Sequence, residues 1–295
     1  MLASPPPLVV EFTKMHGAGN DFVVLDNRFF YFSPAELHDL ALFLTPRHTG
    51  VGADGLLVLD PPQDPDAADF RMTYLNADGS VGSMCGNGAR CLARYARQAG
   101  FDRDVLRLET GAGPYIALTP ADPEAPVRLL VPPPERFEDQ PTLEAPPTAL
   151  AGLPAFIWTG TEHLVCPVDD LAATPVDALG ARLRQDAALE PAGANVNFAV
   201  VLETGGPDRE AVVAVRTYEK GVEAETRACG TGALATAMAL RLRGTLHAVR
   251  TQVQMPGGTL VVGFDPTDPA PERQYLEGPA VTVFRGSFPW RPGAR

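Results

Sequence analysis

The sequence predicts an α/β (α+β) protein of two pseudo-symmetric domains, each a sheet of many short strands with two helices. Three observations predict it. First, Thr73-Tyr74, followed by Cys85-Gly86-Asn87-Gly88-Ala89, recurs as Thr217-Tyr218 and Cys229-Gly230-Thr231-Gly232-Ala233, with 11 residues from Tyr to Cys in both copies. Second, Ser33-Pro34 and Gly52-Ala53-Asp54 return 141 positions later as Thr174-Pro175 and Gly193-Ala194-Asn195, while the cysteines are 144 apart. Matched landmarks in one order argue for duplication. Third, 28 Gly and 30 Pro in 295 residues, with 45% hydrophobic content, indicate many turns between short apolar runs. That length suits two cores.

In chain order, Val9–Thr13 and Phe22–Asp26 read as strands. Ser33 is placed to cap a helix over Ala35–Leu44, with Pro34 in its first turn. Strands follow at Leu56–Leu59 and Arg71–Leu75, and a helical run at Arg90–Arg97 follows the first cysteine motif. Val105–Glu109, Tyr115–Leu118 and Val127–Val131 complete the first half. In the second half the strands are Phe156–Trp158, His163–Val168, Phe198–Leu202, Val212–Tyr218, Val249–Met255, Leu260–Phe264 and Val281–Phe284. Its helices are Val176–Arg184, opened by Thr174-Pro175, and Leu234–Arg241 after the second motif. Asp60–Asp69 and Asp265–Arg273 read as exposed loops. The domain reading takes 1–9 as a flexible tail and 10–131 as the first domain, with 279–295 returning to it as a C-terminal strand. The second domain is 132–278, entered through an acidic, Pro-rich linker at 132–147.

The net charge of −12, with no long basic run, argues against a nucleic-acid or anionic-membrane partner. No apolar run approaches a membrane span, and Met1–Pro7 has no signal-peptide pattern. Cys85, Cys91, Cys166 and Cys229 form neither a CxxC pair nor a zinc-like set, so no metal site is expected and a cytoplasmic protein with reduced thiols is the simplest reading. Lys14 and Lys220 are the only lysines, which leaves few anchors for pyridoxal phosphate.

Cys85 and Cys229 each stand at a helix start within a Gly-rich loop. Free N–H groups and the helix dipole there favour a thiolate. Two such thiols sharing one cleft would make a symmetric acid/base pair able to invert a carbon centre. Gly86, Gly88, Gly230 and Gly232 let the backbone approach an anion closely. Cys91, without a repeat partner, and Cys166, inside a strand, read as core. Taken alone, the loops at Lys14–Phe22 and Asn76–Gly79 read as turns, His163 as a buried strand histidine, and Glu219 with Lys220 as a solvated charge pair.

Seven motifs, in order, resemble the diaminopimelate epimerases, which are pyridoxal-independent amino-acid epimerases. They are Lys14-Met15-His16-Gly17-Ala18-Gly19-Asn20-Asp21-Phe22, Arg47-His48-Thr49-Gly50-Val51-Gly52-Ala53-Asp54-Gly55, Asn76-Ala77-Asp78-Gly79, Met84-Cys85-Gly86-Asn87-Gly88-Ala89-Arg90, Ala194-Asn195, Tyr218-Glu219-Lys220-Gly221 and Ala228-Cys229-Gly230-Thr231-Gly232. The resemblance runs from Lys14 to Phe284. It implies two similar domains, each a curved mixed sheet around a central helix, with the site between them. It implies Cys85 and Cys229 as the acid/base pair, and His163 and Glu219 as groups that set their protonation. Asn20, Asn76 and Asn195 match substrate-binding positions, as do Glu219 and Lys220. Gly86-Asn87 and Gly230-Thr231 match main-chain donors to the α-carboxylate. The implied substrate is the small amino acid diaminopimelate, in its LL- and meso-forms, with no cofactor, and the implied assembly is a homodimer. The chain departs from the family at Thr161, where Asn is common, at Lys220, where Arg is frequent, and at Phe284, where some members have Tyr. The alternatives are a related racemase of another amino acid and a non-enzymatic thiol redox or binding protein.

Overall fold

The computed structural model describes residues 7–144, 150–264 and 274–291. Part of the expected tail, the last residues of the expected linker and the whole of the loop Asp265–Arg273 lie outside the described residues. The chain divides into two units. One holds the described residues up to Val127 and from Pro279 onward, and the other is Arg128–Gly278.

The first unit opens with β1 (Leu8–Gly17) and β2 (Asn20–Asp26), an antiparallel hairpin turned by Ala18 and Gly19, both at positive φ. Then comes α1 (Pro34–Leu44). Ser33 Oγ accepts from Glu36 N, and the Glu36 carboxylate accepts from Ser33 N at 2.9 Å, which closes a capping box. One face of α1, Leu37, Leu40, Ala41 and Leu44, is buried against Val10, Val23, Leu56 and Val58 of the sheet. β3 (Gly55–Asp60) runs parallel to β2, β4 (Phe70–Asn76) antiparallel to β3, and the short β5 (Val81–Gly82) turns back on the end of β4. α2 (Gly86–Gln98) returns the chain so that β6 (Val105–Thr110) pairs parallel with the start of β4, and β7 (Gly113–Leu118) pairs antiparallel with β6. Ten of the thirteen α2 residues are buried, so the helix is covered nearly all round. It packs on β1, β2, β3, β4 and β7, strands from both ends of the pairing order, so the mixed sheet curves around it.

The second unit repeats this order. It begins within β8 (Val127–Val131), and β9 (Arg136–Asp139) follows. The stretch 132–147 therefore contains a strand: β9 pairs antiparallel with β10 (Ala155–Trp158), and Arg136 stacks over Phe156 at 4.5 Å. Prolines bar the flanking segment from a ladder but not these four residues. β11 (Glu162–Pro167) is antiparallel to β10. α3 (Val176–Arg184) comes next, and Thr174 does not cap it, because its Oγ1 donates to Asp170 O at 2.7 Å. A 3₁₀ turn at Ala187–Leu189 leads to β12 (Asn195–Glu203), parallel to β11. β13 (Ala211–Glu219) is antiparallel to β12, and β14 (Ala224–Thr226) folds back on its end. α4 (Gly230–Leu242) is the second covered helix and packs on β10, β11, β12, β13, β15 and β16. β15 (Arg250–Met255) is parallel to β13; β16 (Gly258–Phe264) and β17 (Gln274–Gly278) follow antiparallel. Finally β18 (Val281–Trp290) pairs antiparallel with β1 in the first unit. Among the described residues no helix is long and apolar enough to cross a membrane.

Candidate active site

Each cysteine of the repeated motif is the N-cap residue of a buried helix. Cys85 caps α2 with extended φ/ψ of −139°/116°, and Cys229 caps α4 with −118°/109°. In both, Sγ accepts from the backbone N–H three residues on, Gly88 or Gly232, at 3.4 Å. The sulfur replaces the usual capping oxygen, so it sits where unpaired N–H groups concentrate. Cys85 is half-buried and Cys229 buried. Cys91 and Cys166 are fully buried, and burial pushes both thiols up, Cys91 to about 12. Neither suits acid/base work near neutrality.

Around Cys85 the first unit gathers a polar chain. Cys85 Sγ lies 3.7 Å from Asn20 Oδ1, which also accepts from Asn87 Nδ2 at 3.2 Å. Asn20 Nδ2 donates to Asp54 Oδ2 at 2.8 Å, which fixes the amide so that its oxygen faces the cysteine. Asp21 pairs with Lys14 at 2.6 Å and with Arg47 at 2.9 Å, and Arg47 reaches Asp54 at 2.6 Å. Burial raises the Asp21 carboxyl, but Arg47 and Lys14 outweigh it and hold it near 2. Asn20, Cys85, Gly86 and Asn87 are thus brought together. Asn76 ends β4 and bonds Ser80 Oγ at 2.9 Å; the structure does not join it to the chain around Asn20.

The second unit surrounds Cys229 differently. Cys229 Sγ is 3.5 Å from Thr231 Oγ1, and Thr159 Oγ1 donates to Thr231 O at 3.3 Å. His163, on β11, is fully buried; Asn197 Nδ2 lies 3.1 Å from its Nδ1, and among the described residues its Nε2 has no hydrogen-bond partner. Burial, then the Lys220 charge, pushes the imidazole down to about 3, so it is neutral. Asn197 accepts from Thr217 Oγ1 at 3.0 Å, and a Cβ on Gly232 would stand 2.3 Å from Asn197 Oδ1. Asn197 therefore lies directly under the first turn of α4. The sequence reading missed it, although the Asn-Val-Asn alternation opening an otherwise apolar strand was the available signal.

Among the described residues Lys220 is ion-paired with Glu162, a partner that the reading of Glu219 with Lys220 as a charge pair did not include. Glu219 Oε2 accepts from Thr226 Oγ1 at 2.9 Å. Lys220 Nζ pairs with Glu162 Oε2 at 2.6 Å, Lys220 N donates to Asn195 Oδ1 at 2.8 Å, and Asn195 Nδ2 donates to Glu162 O at 3.1 Å. Thr161 Oγ1 also reaches Glu162 Oε2, at 3.2 Å. Thr161 and Lys220, two of the three departures from the family pattern, thus converge on one carboxylate. Burial raises the Glu162 carboxyl, and Lys220 brings it below its ordinary value.

The family description "Diaminopimelate epimerase" matches residues 12–128 and 155–283, most of both units. The chain belongs to the diaminopimelate epimerase family. A diaminopimelate epimerase of Chlorobaculum tepidum is 40% identical over 93% of this chain and 99% of its own length, and one of Aquifex aeolicus is 38% identical over 94% and 97%. Solved structures share the fold at lower identity. A phenazine biosynthesis protein of the PhzF family from Bacillus anthracis has a TM-score of 0.72 at 15% identity, covering 95% of this chain and 99% of that one. A hydroxyproline epimerase from Agrobacterium vitis has a TM-score of 0.66 at 19% identity, covering 97% and 92%. These two likenesses carry the two-domain fold alone. Among the described residues no cluster of His, Cys, Asp and Glu could hold a metal.

Proposed function

We propose that this diaminopimelate epimerase, an isomerase of lysine biosynthesis, interconverts LL- and meso-diaminopimelate with Cys85 and Cys229 as its two bases. The observation that carries this reading is the pair of N-cap cysteines, each accepting the third amide of a buried helix at 3.4 Å. One thiolate takes the α-proton, and the other thiol delivers a proton to the opposite face; the roles exchange with direction. The α-proton of an amino acid is weakly acidic, so the enolate-like charge needs fixed donors. The N–H groups of Gly86-Asn87 and Gly230-Thr231 supply them at the two helix starts, and one such donor is typically worth about 3 kcal/mol. Asn20, Asn76, Asn195, Glu219 and Lys220 bind the rest of the substrate, and His163 with Glu219 biases the thiols. No pyridoxal phosphate and no metal enters this chemistry. Both thiols must stay reduced, which favours a cytoplasmic setting, and a homodimer is the proposed assembly.

The test is incubation with LL-diaminopimelate in D₂O. Deuterium at the inverted α-carbon, with meso product, supports the reading; no exchange with fully reduced thiols sinks it. The convergence of Thr161 and Lys220 on Glu162 favours a second reading, a racemase of another amino acid. A panel of amino acids in the same assay separates the two.

A further inference from the structure

A side-chain amide can face a thiol with its oxygen or with its NH2, and the two choices act on the thiol in opposite directions. Asn20, at the start of β2, faces Cys85 with Oδ1, 3.7 Å from Sγ. In this contact the thiol donates and the amide oxygen accepts, so it favours the proton on sulfur. Gly88 N pulls the other way, donating to the same Sγ at 3.4 Å. The orientation of the Asn20 amide therefore decides whether the two contacts oppose or reinforce one another.

That orientation is fixed from both ends of a polar chain. Asn20 Nδ2 donates to Asp54 Oδ2 at 2.8 Å. The same oxygen accepts from Asp21 N at 3.1 Å, and Asp54 Oδ1 accepts from Arg47 Nη2 at 2.6 Å. On its other side Asn20 Oδ1 accepts from Asn87 Nδ2 at 3.2 Å, and Asn87 Oδ1 accepts from Arg90 Nη2 at 2.6 Å. A guanidinium can only donate, and a carboxylate only accept. Turning Asn20 round would set its oxygen against Asp54 and its NH2 against the NH2 of Asn87. Turning Asn87 to suit would set that NH2 against Arg90. The matched landmark in the second half, 141 positions after Asp54, is Asn195. Its amide is held by main-chain groups instead, Glu162 O at 3.1 Å and Lys220 N at 2.8 Å.

We propose that Asp54 is a positioning residue, which holds the Asn20 oxygen on Cys85 and so makes that thiol keep its proton more firmly than it would beside a free amide. The inference rests on the two-base reading for its part in turnover, not for its measurement. A sulfur that must deliver a proton as well as take one needs a contact that opposes the pull of the helix start. Asp54 acts on it through Asn20.

The experiment is the pH dependence of Cys85 alkylation by iodoacetamide, followed by peptide mapping of the full chain. Four proteins are compared: unmodified, Asp54→Ala, Asn20→Ala and the double variant. In Asp54→Ala the amide of Asn20 is free to turn its NH2 to the sulfur. The Cys85 midpoint is expected to fall by about 0.7 unit, a roughly fivefold larger thiolate fraction near neutrality. Asn20→Ala removes the oxygen and is expected to lower the midpoint too. Adding Asp54→Ala to Asn20→Ala is expected to move it by less than about 0.2 unit further, because the carboxylate has lost its route to the sulfur. In the first unit, the charged and titratable groups at the end of the sheet by the start of α2 are Lys14 and His16 of β1, Asp21 of β2, and Arg47 and Asp54 before β3. α2 itself adds Arg90 and Cys91. Of the other strands packed on α2, β7 carries Tyr115, while Glu11, Asp26, Asp60 and Arg71 stand at the far ends of theirs. All but Asp54 are the same in the four proteins, and the cycle separates the charge of Asp54 from its hold on Asn20. An unchanged or raised midpoint in folded Asp54→Ala overturns the proposal. So does a shift of the same size on the Asn20→Ala background, which marks Asp54 as a charge acting through space. If Asp54→Ala does not fold, Asn20→Ala decides, and an unchanged or raised midpoint there overturns the proposal as well. Alkylation needs no substrate. The expected shifts in a chain that leaves LL-diaminopimelate unexchanged keep this inference and remove the proposed function, and the reverse pattern does the opposite.

Discussion

Asn197 Nδ2 donates to His163 Nδ1 across 3.1 Å, and this contact settles which imidazole nitrogen carries the proton. The amide cannot be turned round. Its nitrogen also faces Leu164 O at 3.3 Å, which can only accept, and its oxygen receives Thr217 Oγ1 at 3.0 Å. Nδ1 is thus an acceptor, and the neutral ring holds its hydrogen on Nε2. Among the described residues that buried N–H has no partner, and its strand β11 packs against the helix that Cys229 caps. In the first unit the matching glycine of the helix, Gly88, faces Leu57 and Met72 instead.

Asn197→Asp is therefore expected to force the other tautomer. A carboxylate can only accept, so it calls for hydrogen on Nδ1. Nitrogen NMR of His163 reads this directly and shows Nε2–H in the unmodified protein. Turnover is expected to fall about tenfold, the worth of one well-placed hydrogen bond, with kcat more affected than KM. Thr217→Ser keeps the donor to Asn197 and is expected to be nearly silent, whereas Thr217→Val is not. An unchanged tautomer in Asn197→Asp refutes the assignment.

Acid should destabilise the protein through His163. Burial holds its folded value near 3, below the ordinary 6.5 of the unfolded chain. Below pH 6.5 the unfolded state takes up a proton that the folded state refuses, so stability is lost as pH falls from 6.5 toward 3. At pH 5 the loss amounts to about 2 kcal/mol. Urea unfolding of the unmodified protein and of His163→Gln at pH 7 and pH 5 measures it. The variant should lose about 2 kcal/mol less over that interval; parallel losses contradict the assignment.

The duplicated plan was legible because Gly-rich turns and Pro34 punctuate the chain at matched positions, and the four main helices fall where those signals place them. Position along the chain also revealed both cysteines. What escaped was pairing between distant residues. Strand β9 was hidden by the prolines that flank it and by its own acids, and its partner β10 lies beyond a Pro-rich interval. Glu219 and Lys220 adjoin in sequence, but the partner of Lys220 is Glu162, 58 residues back, which adjacency could not show. Asn197 and Arg90 show a subtler limit. Each is a polar residue in an apolar element, and only its buried partners reveal what it serves.

Gly232→Ala is expected to be costlier than Gly88→Ala, although the two glycines are repeat equivalents. A Cβ at 232 would stand 2.3 Å from Asn197 Oδ1 and 3.3 Å from Cys229 Sγ. That oxygen is held by Thr217 and cannot retreat without releasing His163. A Cβ at 88 would meet the tip of Leu57 at 2.9 Å, which can rotate aside. Overpacking of the first kind costs roughly 1–3 kcal/mol. Thermal unfolding of both variants decides it, and equal losses would show that Asn197 yields freely.

Cys85→Ala and Cys229→Ala should each abolish epimerisation while leaving the fold in place. The thiol of either residue contributes one capping contact, to Gly88 N or Gly232 N at 3.4 Å, and Ala at an N-cap costs typically about 1 kcal/mol. For domains of this size that is a fall in Tm of roughly 2–4 °C. Chemistry is more demanding, because with one base removed no group is left to protonate the opposite face of the α-carbon. Serine in either place keeps the cap, since its hydroxyl accepts the same amide, but ionises far less readily than a thiol. The serine variants should therefore match the unmodified protein in Tm and still be badly impaired in turnover. That separation of stability from activity distinguishes a base from a helix cap. Near-normal meso-diaminopimelate formation by a folded alanine variant of either cysteine would remove it from the mechanism.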